Sequence, residues 1–461
     1  MNRFFEPRSI AVVGASANRS KGGYRVLQNL IEWGYTGRIY PVNPKADEIL
    51  GLKVYPSIED LPEVPDLALL VLPRDMVPEA LKQAGRFGVD RVIIVANRFS
   101  DADEEGREME REITEIARSM GVRILGPNSI GVANTKNGLV TSILPLEKYK
   151  KGNISFIGQT GMFLGGFARW ITSSQYFGID KVVILGNRCD IDEADAVDHL
   201  GSDPSCSVIG LYLEGVKDGR KFLKAVERAA SRKPLLVLKS GRTPLGAEAA
   251  TSHTGSLSGE DRIFDAAVRR AGAIRVYDFD ELFDLAKTFS YFADLSPAED
   301  LRVGVVSVSG AGCVLSADAI GDYGLRLAGL GEDTIERILS VYPPGWIARN
   351  PIDMWSAIEE VGAFDAYLTI TEAVLEDDGV DGASIIFMLI PDVTEMDIKR
   401  FLREIKPYRK PFTLCFMGGD MRLVHEWEQI AEGESIPVFH SPERAIRALG
   451  AILRWKHERR R

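Results

Sequence analysis

Three times in this chain an apolar run rich in valine and isoleucine ends in a turn of small residues and passes directly into a helix-forming stretch. The runs are SIAVVGAS from Ser9, NISFIGQTGMFLGGFARWI from Asn153 and LRVGVVSVSGAGCVLSADAI from Leu301. A strand with no polar face is buried on both sides, and a helix straight after it supplies the cover for one of them. Repeated along the chain, this pattern dictates parallel α/β architecture.

The first block reads as a doubly wound, nucleotide-type sheet. Its strands are Ser9 to Val13, Arg38 to Val42, Leu67 to Leu72, Arg91 to Val95 and Arg123 to Leu125, with helices such as Tyr24 to Trp33 and Val77 to Phe87 between them. Residues 134–151 read as a connecting segment. The remainder is an internal repeat. Each half opens with strand, glycine turn and helix, the helices expected at Met162 to Ile171 and Cys313 to Ile320. Each half later has a strand introduced by Lys-Pro, KPLLVLKSG from Lys233 and KPFTLCFMGG from Lys410, and closes with a strand and helix. The expected division is therefore a Rossmann-like domain over 1–133, a flavodoxin-like domain over 152–292 and a second over 301–461.

One segment of the first half is absent from the second. After Lys239 the first half carries SGRTPLGAEAATSHTGSLSG, whereas the second runs from Gly419 directly into a polar helix. The extra segment reads as a loop holding His253, one of five histidines, among Thr251, Ser252, Thr254, Gly255, Ser256, Ser258 and Gly259. Small and hydroxyl residues let a backbone approach an anion closely, and imidazole can carry a transferable group. A segment present in one copy and absent from the other points to function, although a loop histidine can also simply bond its neighbours.

Four further features sit where α/β sheets bind ligands. Gly14-Ala15-Ser16 follows a buried strand, with Lys21 near. A dinucleotide fingerprint would need glycine where Ser16 and Arg19 stand, and a Walker loop would need Gly-Lys in place of Arg19-Ser20. A phosphate-binding turn and a ligand-free tight turn both remain. Gln159-Thr160-Gly161 and Ser309-Gly310-Ala311-Gly312 each open a helix, where unpaired N–H groups favour an anion. Glu214 ends the strand Val208 to Leu213, either as a ligand-facing carboxylate or as a surface partner of Lys217 or Arg220. Asp190, Asp192, Glu193 and Asp195 crowd into GNRCDIDEAD; helix capping accounts for them better than a metal does.

Composition narrows the partners. The formal net charge of −10 argues against nucleic acid or an anionic membrane as the main partner. Cys189, Cys206, Cys313 and Cys415 have no metal or disulfide spacing, the histidines never cluster, and no apolar leader or membrane-length run is present. The expectation is a cytoplasmic protein without a metal site.

The segment KSGRTPLGAEAATSHTGSLSG resembles the phosphohistidine loop of the ADP-forming acyl-CoA synthetases, in the succinyl-CoA synthetase superfamily. The resemblance extends over nearly the whole chain in the order of the alpha subunit. VVGASANRSKGG, IYPVNPKADEILGLKVYPS and RILGPNSIGVAN are similar to its CoA-binding domain. It implies Gly14, Ala15, Ser16 and Lys21 at the CoA phosphates, with Val42, Asn43, Pro44 and Lys45 along the adenine and pantetheine path, and Pro73 and Asn97 on neighbouring strand ends. It further implies that Glu214 orients His253, and that the turns at Gln159 and Ser309 clasp the phosphate on the histidine. No stretch resembles an ATP-grasp domain, so the resemblance implies a separate beta subunit carrying ADP, ATP and Mg²⁺ in an α2β2 assembly. Two departures stand out: Ala96-Asn97-Arg98 where most members read Ser-Ala-Gly, and Ser129 where most have cysteine. They leave open a CoA-binding regulatory paralogue without turnover. An NAD-linked oxidoreductase lacks both the fingerprint and the ribose-binding acid.

Overall fold

The apolar runs form three sheets in the computed structural model, which describes residues 1–174, 176–254, 260–292 and 300–459, with 250–254 described by backbone alone. In chain order the first strands are β1 (Ser9–Val13), β2 (Arg38–Val42), a short hairpin β3 (Glu48–Ile49) and β4 (Leu52–Lys53), then β5 (Leu67–Leu70), β6 (Arg91–Ile94) and β7 (Arg123–Leu125). The main sheet has order β2-β1-β5-β6-β7 with every pair parallel. Ile10, Val12, Leu69, Ile93 and Ile124 are fully buried. Helices Gly22–Glu32, Val77–Phe87 and Glu104–Met120 alternate with these strands. Asp103 caps the last of them by accepting from the Gly106 amide at 2.7 Å.

The second sheet comprises β8 (Val132–Asn134), β9 (Leu139–Val140), β10 (Lys151–Gly158), β11 (Ile179–Ile184), β12 (Val208–Leu213), β13 (Leu235–Lys239) and β14 (Ile274–Val276). Its order is β14-β13-β12-β10-β11-β8-β9. The expected connector 134–151 is therefore partly sheet. β8 runs antiparallel on β11, and β9 on β8, closing that edge. What holds them is remote in sequence: Asn134 donates to the Phe5 carbonyl at 3.0 Å and Thr135 to the Ile179 carbonyl at 2.7 Å.

The third sheet comprises β15 (Arg302–Ser307), β16 (Arg326–Leu327), β17 (Ile352–Asp353), β18 (Gly382–Leu389), β19 (Phe412–Gly419) and β20 (Val438–Phe439). It runs β16-β15-β18-β19-β20, with β17 also paired to β15. The parallel core β11-β10-β12-β13-β14 of the second sheet has the same order, so the repeat read in the sequence is a repeat of topology. The chain divides into two compact units, Met1–Leu282 and Phe283–Arg461.

Three helices differ from expectation. The run expected from Met162 begins as a single 3₁₀ turn, Gly161–Leu164, and the α-helix starts only at Gly166 because the Gly165-Gly166 pair interrupts it. The one expected at Cys313 spans Gly310–Asp322. The expected histidine loop contains a helix, Pro244–Thr254. Proline in its first position and Leu245, Ala247, Glu248 and Ala249 behind it favour that conformation. No helix among the described residues is long and apolar enough to cross a membrane.

One packing contact has a titratable consequence. The His199 ring, on helix Glu193–Ser202, stacks on Phe5 with centroids 5.2 Å apart. Burial, and then the amino-terminal charge, push its pKa down to about 4. An unfolded chain takes up this proton near pH 6.5 and the folded one does not, so stability is complete above pH 6.5 and is lost as pH falls toward 4. Urea unfolding at pH 7 and 4.5 should show wild-type protein losing about 2–3 kcal/mol more than His199→Gln. Equal losses would assign the acid sensitivity to other groups.

Candidate active site

In the first sheet the chain passes from β1 to β2 on one side and then to β5 on the other, so the loops after β1 and β5 diverge. The crevice at that switch point is where α/β sheets bind ligands. An open cleft of about 450 Å³ lies there. The turn that floors it needs glycine. Gly14 has φ +90°, and a Cβ on it would strike the Val71 carbonyl. A Cβ on Gly23 would likewise strike the Gly14 carbonyl, so the helix packs directly against the turn. Helix Gly22–Glu32 has Lys21 as its N-cap and no side-chain cap, which leaves its first amides directed at the cleft. Asn43 braces the turn from β2, donating to the Ala15 carbonyl at 2.5 Å while its oxygen accepts from the Lys45 amide.

Gly14, Ala15, Ser16, Lys21, Asn43, Pro73 and Asn97 all line the cleft, as expected. Val42, Pro44 and Lys45 do not: Val42 is buried in the core beneath the turn, and the chain turns away once Asn43 has bonded back. The sequence reading missed Val71, Leu72 and Val95, although they end or follow neighbouring strands and the carboxyl-end rule would have found them. It also missed Ile143, which arrives from the loop after β9 without any local signal.

The two sequence departures are of different kinds. Ala96 and Asn97 line the cleft. Ser129 does not; it is 0% exposed, donates to the Ile184 carbonyl at 2.5 Å and accepts from the Gly131 amide at 2.9 Å. It joins the first two sheets.

A second constellation surrounds Glu214 at the carboxyl end of β12. Glu214 is 6% exposed, so it is not a surface partner of Lys217 or Arg220. The Tyr212 hydroxyl lies 3.5 Å from its Oε1, and burial, with Glu214 beside it, raises the Tyr212 pKa. The turn after Glu214 is gripped from several sides. Gln159 Oε1 accepts from the amides of Glu214 at 2.8 Å and Gly215 at 3.2 Å. Arg188 Nη1 donates to the Gly215 carbonyl at 2.8 Å, and Glu193 accepts from the Lys217 amide at 2.9 Å. The acids of GNRCDIDEAD are structural: Asp192 and Asp195 form a capping box joined to Lys221, and Asp190 accepts from Arg123 and the Ile124 amide. Among the described residues no group of histidine, cysteine and acidic side chains could hold a metal ion.

Strand β13 runs beside β12, with Leu213 opposite Lys239, and leads into the histidine segment. Gly241 has φ +68°, and Gly246 lies inside the helix Pro244–Thr254 rather than at a hinge. The backbone of His253 falls in the last turn of that helix; its side chain, and residues 255–259, lie outside the described residues. Of its described side chains Pro244, Leu245, Glu248 and Ala249 are exposed, Leu245 by 81%.

In the second unit Ser309 caps helix Gly310–Asp322, its hydroxyl accepting from the Gly312 amide at 3.4 Å. Its own amide is held by Ser307 at 3.1 Å. A Cβ on Gly310 would lie 3.2 Å from the Asp353 carboxylate, so an acid from β17 stands beside this helix start.

Comparison with known proteins agrees with this geometry. Residues 8–135 match the CoA binding domain, and residues 151–289 the succinyl-CoA ligase-like flavodoxin domain. An ADP-forming acetate–CoA ligase II of Archaeoglobus fulgidus is 41% identical over 99% of this chain, which spans 67% of that protein. The alpha subunit of ADP-forming acetate–CoA ligase II of Pyrococcus furiosus is 35% identical, over 98% of this chain and 97% of that one. Among solved structures, dinucleotide-forming acetyl-coenzyme A synthetase 1 of Ca. Korarchaeum cryptofilum, in complex with phosphate and ADP, superposes with a TM-score of 0.90 at 33% identity, covering 100% of this chain and 97% of that one. The chain belongs to the family of ADP-forming acetate–CoA ligases and corresponds along its length to their alpha subunit.

Proposed function

We propose that this chain is the alpha subunit of a cytoplasmic ADP-forming acyl-CoA synthetase, converting acyl-CoA, phosphate and ADP into carboxylic acid, CoA and ATP. Its three parts are 1–133, which binds CoA, and 152–292 and 301–461, which handle phosphate. A phosphate oxygen attacks the thioester carbonyl, the C–S bond breaks, and CoA leaves as a thiol once protonated. A nitrogen of neutral His253 then attacks the acyl phosphate, the P–O bond to the acyl group breaks, and the carboxylate departs. The terminal oxygen of ADP finally takes the phosphoryl group as the P–N bond breaks. Catalysis of this kind rests on positioning and charge stabilisation.

In this reading Gly14, Ala15, Ser16, Lys21, Asn43, Pro73 and Asn97 receive CoA, whose phosphates suit a glycine turn, an uncapped helix start and one lysine. Glu214 holds the tautomer of His253, in the manner of the acid of a catalytic triad. The turns Gln159-Thr160-Gly161 and Ser309-Gly310-Ala311-Gly312 supply donors to the phosphoryl group. ADP, ATP and Mg²⁺ belong to an ATP-grasp beta subunit in an α2β2 assembly. The exposed start of the helix Pro244–Thr254, at Pro244, Leu245, Glu248 and Ala249, suits a segment whose histidine must visit another chain. The observation that carries the reading is the buried Glu214 at the end of β12, with the neighbouring strand β13 leading to the histidine segment that the second half lacks. Relatives are named for acetate, for 4-hydroxybutyrate in Nitrosopumilus maritimus and for the trans-feruloyl group, so the acyl group is a carboxylic acid from a range that includes aliphatic and aryl acids.

Labelled ATP, supplied with the beta subunit, should leave an acid-labile phosphate on the wild-type chain and none on His253→Asn. Label surviving in that variant would remove His253 from the mechanism. Glu214→Gln should slow labelling on the order of 10²-fold or more. Calorimetric titration should show Lys21→Ala weakening CoA binding about tenfold, near 1.4 kcal/mol, with a shallower salt dependence. Unchanged affinity would mean that CoA binds elsewhere.

A further inference from the structure

The segment Gly186–Glu193 carries two neighbouring side chains that serve different sites. After β11 it runs along β7 and the residues that follow it: the Asn187 amide donates to the Pro127 carbonyl, Cys189 to Gly126 and Ile191 to Ile124, at 2.9–3.1 Å. From this ledge Asn187 Nδ2 donates to Asp101 at 2.8 Å and Glu110 at 2.9 Å. Asp101 in turn holds the amides of Arg98 and Phe99, directly after the cleft residue Asn97. The next residue, Arg188, reaches the turn of Glu214 instead. Its Nη1 donates to the Gly215 carbonyl at 2.8 Å and to Glu193 at 2.9 Å.

Arg188 is an expensive way to hold a loop. It stands at φ +60°, a region that non-glycine residues seldom occupy. It is 5% exposed, and its Nε is buried without a hydrogen-bond partner. Glu193, its counter-ion, is 1% exposed. Buried ion pairs contribute little net stability against apolar residues of the same volume, so what this one supplies is geometry. Together with Gln159 it fixes both amides and the carbonyl of the Glu214–Gly215 step.

We infer that Arg188 is a positioning residue for Glu214, holding that carboxylate in place through the Gly215 carbonyl while its neighbour Asn187 ties the same ledge to the loop beside the CoA cleft. This rests on the role proposed for Glu214. The test uses the full chain assembled with its ATP-grasp subunit and compares wild type with Arg188→Met, Arg188→Lys and Gln159→Met. The readouts are the rate of histidine labelling from ATP, kcat, KM for CoA and thermal melting. Arg188→Met should lower the labelling rate and kcat at least tenfold with KM for CoA within twofold. Arg188→Lys should recover part of both, because an ammonium can still reach the Gly215 carbonyl. Gln159→Met, which releases the amides of the same turn, should also lower the labelling rate, and Arg188→Lys carries the test if the Met variant does not fold. Wild-type rates in Arg188→Met or Gln159→Met, or a Lys variant no better than Met, would overturn the inference. Absence of label on the wild-type chain would instead overturn the function on which it rests.

Discussion

A parallel sheet that is wound first to one side of its opening strand and then to the other leaves a single crevice beside that strand, and this chain builds it three times. The pairs flanking it are β1 and β5, β10 and β12, β15 and β18. In each sheet a turn follows the opening strand and leads into helix, and its first amide is already engaged: Gly14 donates to the Val42 carbonyl, Gln159 to the Tyr212 carbonyl and Ser309 to the Ser307 hydroxyl. The variation lies in how each turn is finished. At Gly14 the helix start is uncapped and Lys21 stands over it. At Gln159 a 3₁₀ turn replaces the helix, and the glutamine oxygen is committed to the neighbouring turn. At Ser309 the hydroxyl caps its own helix and an aspartate stands close by. One topology thus yields three turns of different polarity.

Glu214 shows how a buried carboxylate is kept in place. Its turn is held by a neutral acceptor, a cation and an anion: Gln159 on two amides, Arg188 on a carbonyl and Glu193 on a third amide. The groups are buried together, and each satisfies backbone that would otherwise be orphaned at the end of a central strand. Such over-determination contrasts with the start of the helix leading to His253, where Pro244, Leu245, Glu248 and Ala249 are exposed.

Much of the cleft was legible because its residues are local. Gly14, Ala15, Ser16 and Lys21 follow one strand, and Asn43, Pro73 and Asn97 each follow another, so the carboxyl-end rule reaches them. Val42 failed because a strand residue below the turn faces core, a distinction that depends on register. Ile143 failed because nothing near it in sequence indicates which sheet it overhangs. Ser129, one of the two departures from the family pattern, bonds to Ile184, 55 residues away, which no local pattern indicates. The roles of Arg188 and Glu193 were only half visible: acids suited to capping could be recognised, but not a guanidinium crossing to Gly215.

The sequence by itself determined the parallel architecture, the repeat of two halves, the strands at Ser9–Val13, Arg38–Val42 and Val208–Leu213, and the singular position of the histidine segment. These depend on apolar runs, glycine punctuation and proline, which act over a few residues. Only the tertiary structure decided that residues 132–140 close the edge of the second sheet and that Gln159 and Arg188 hold the turn of Glu214. Those outcomes come from hydrogen bonds between residues tens of positions apart, and a pattern read along the chain carries no record of which distant group will be there to complete them.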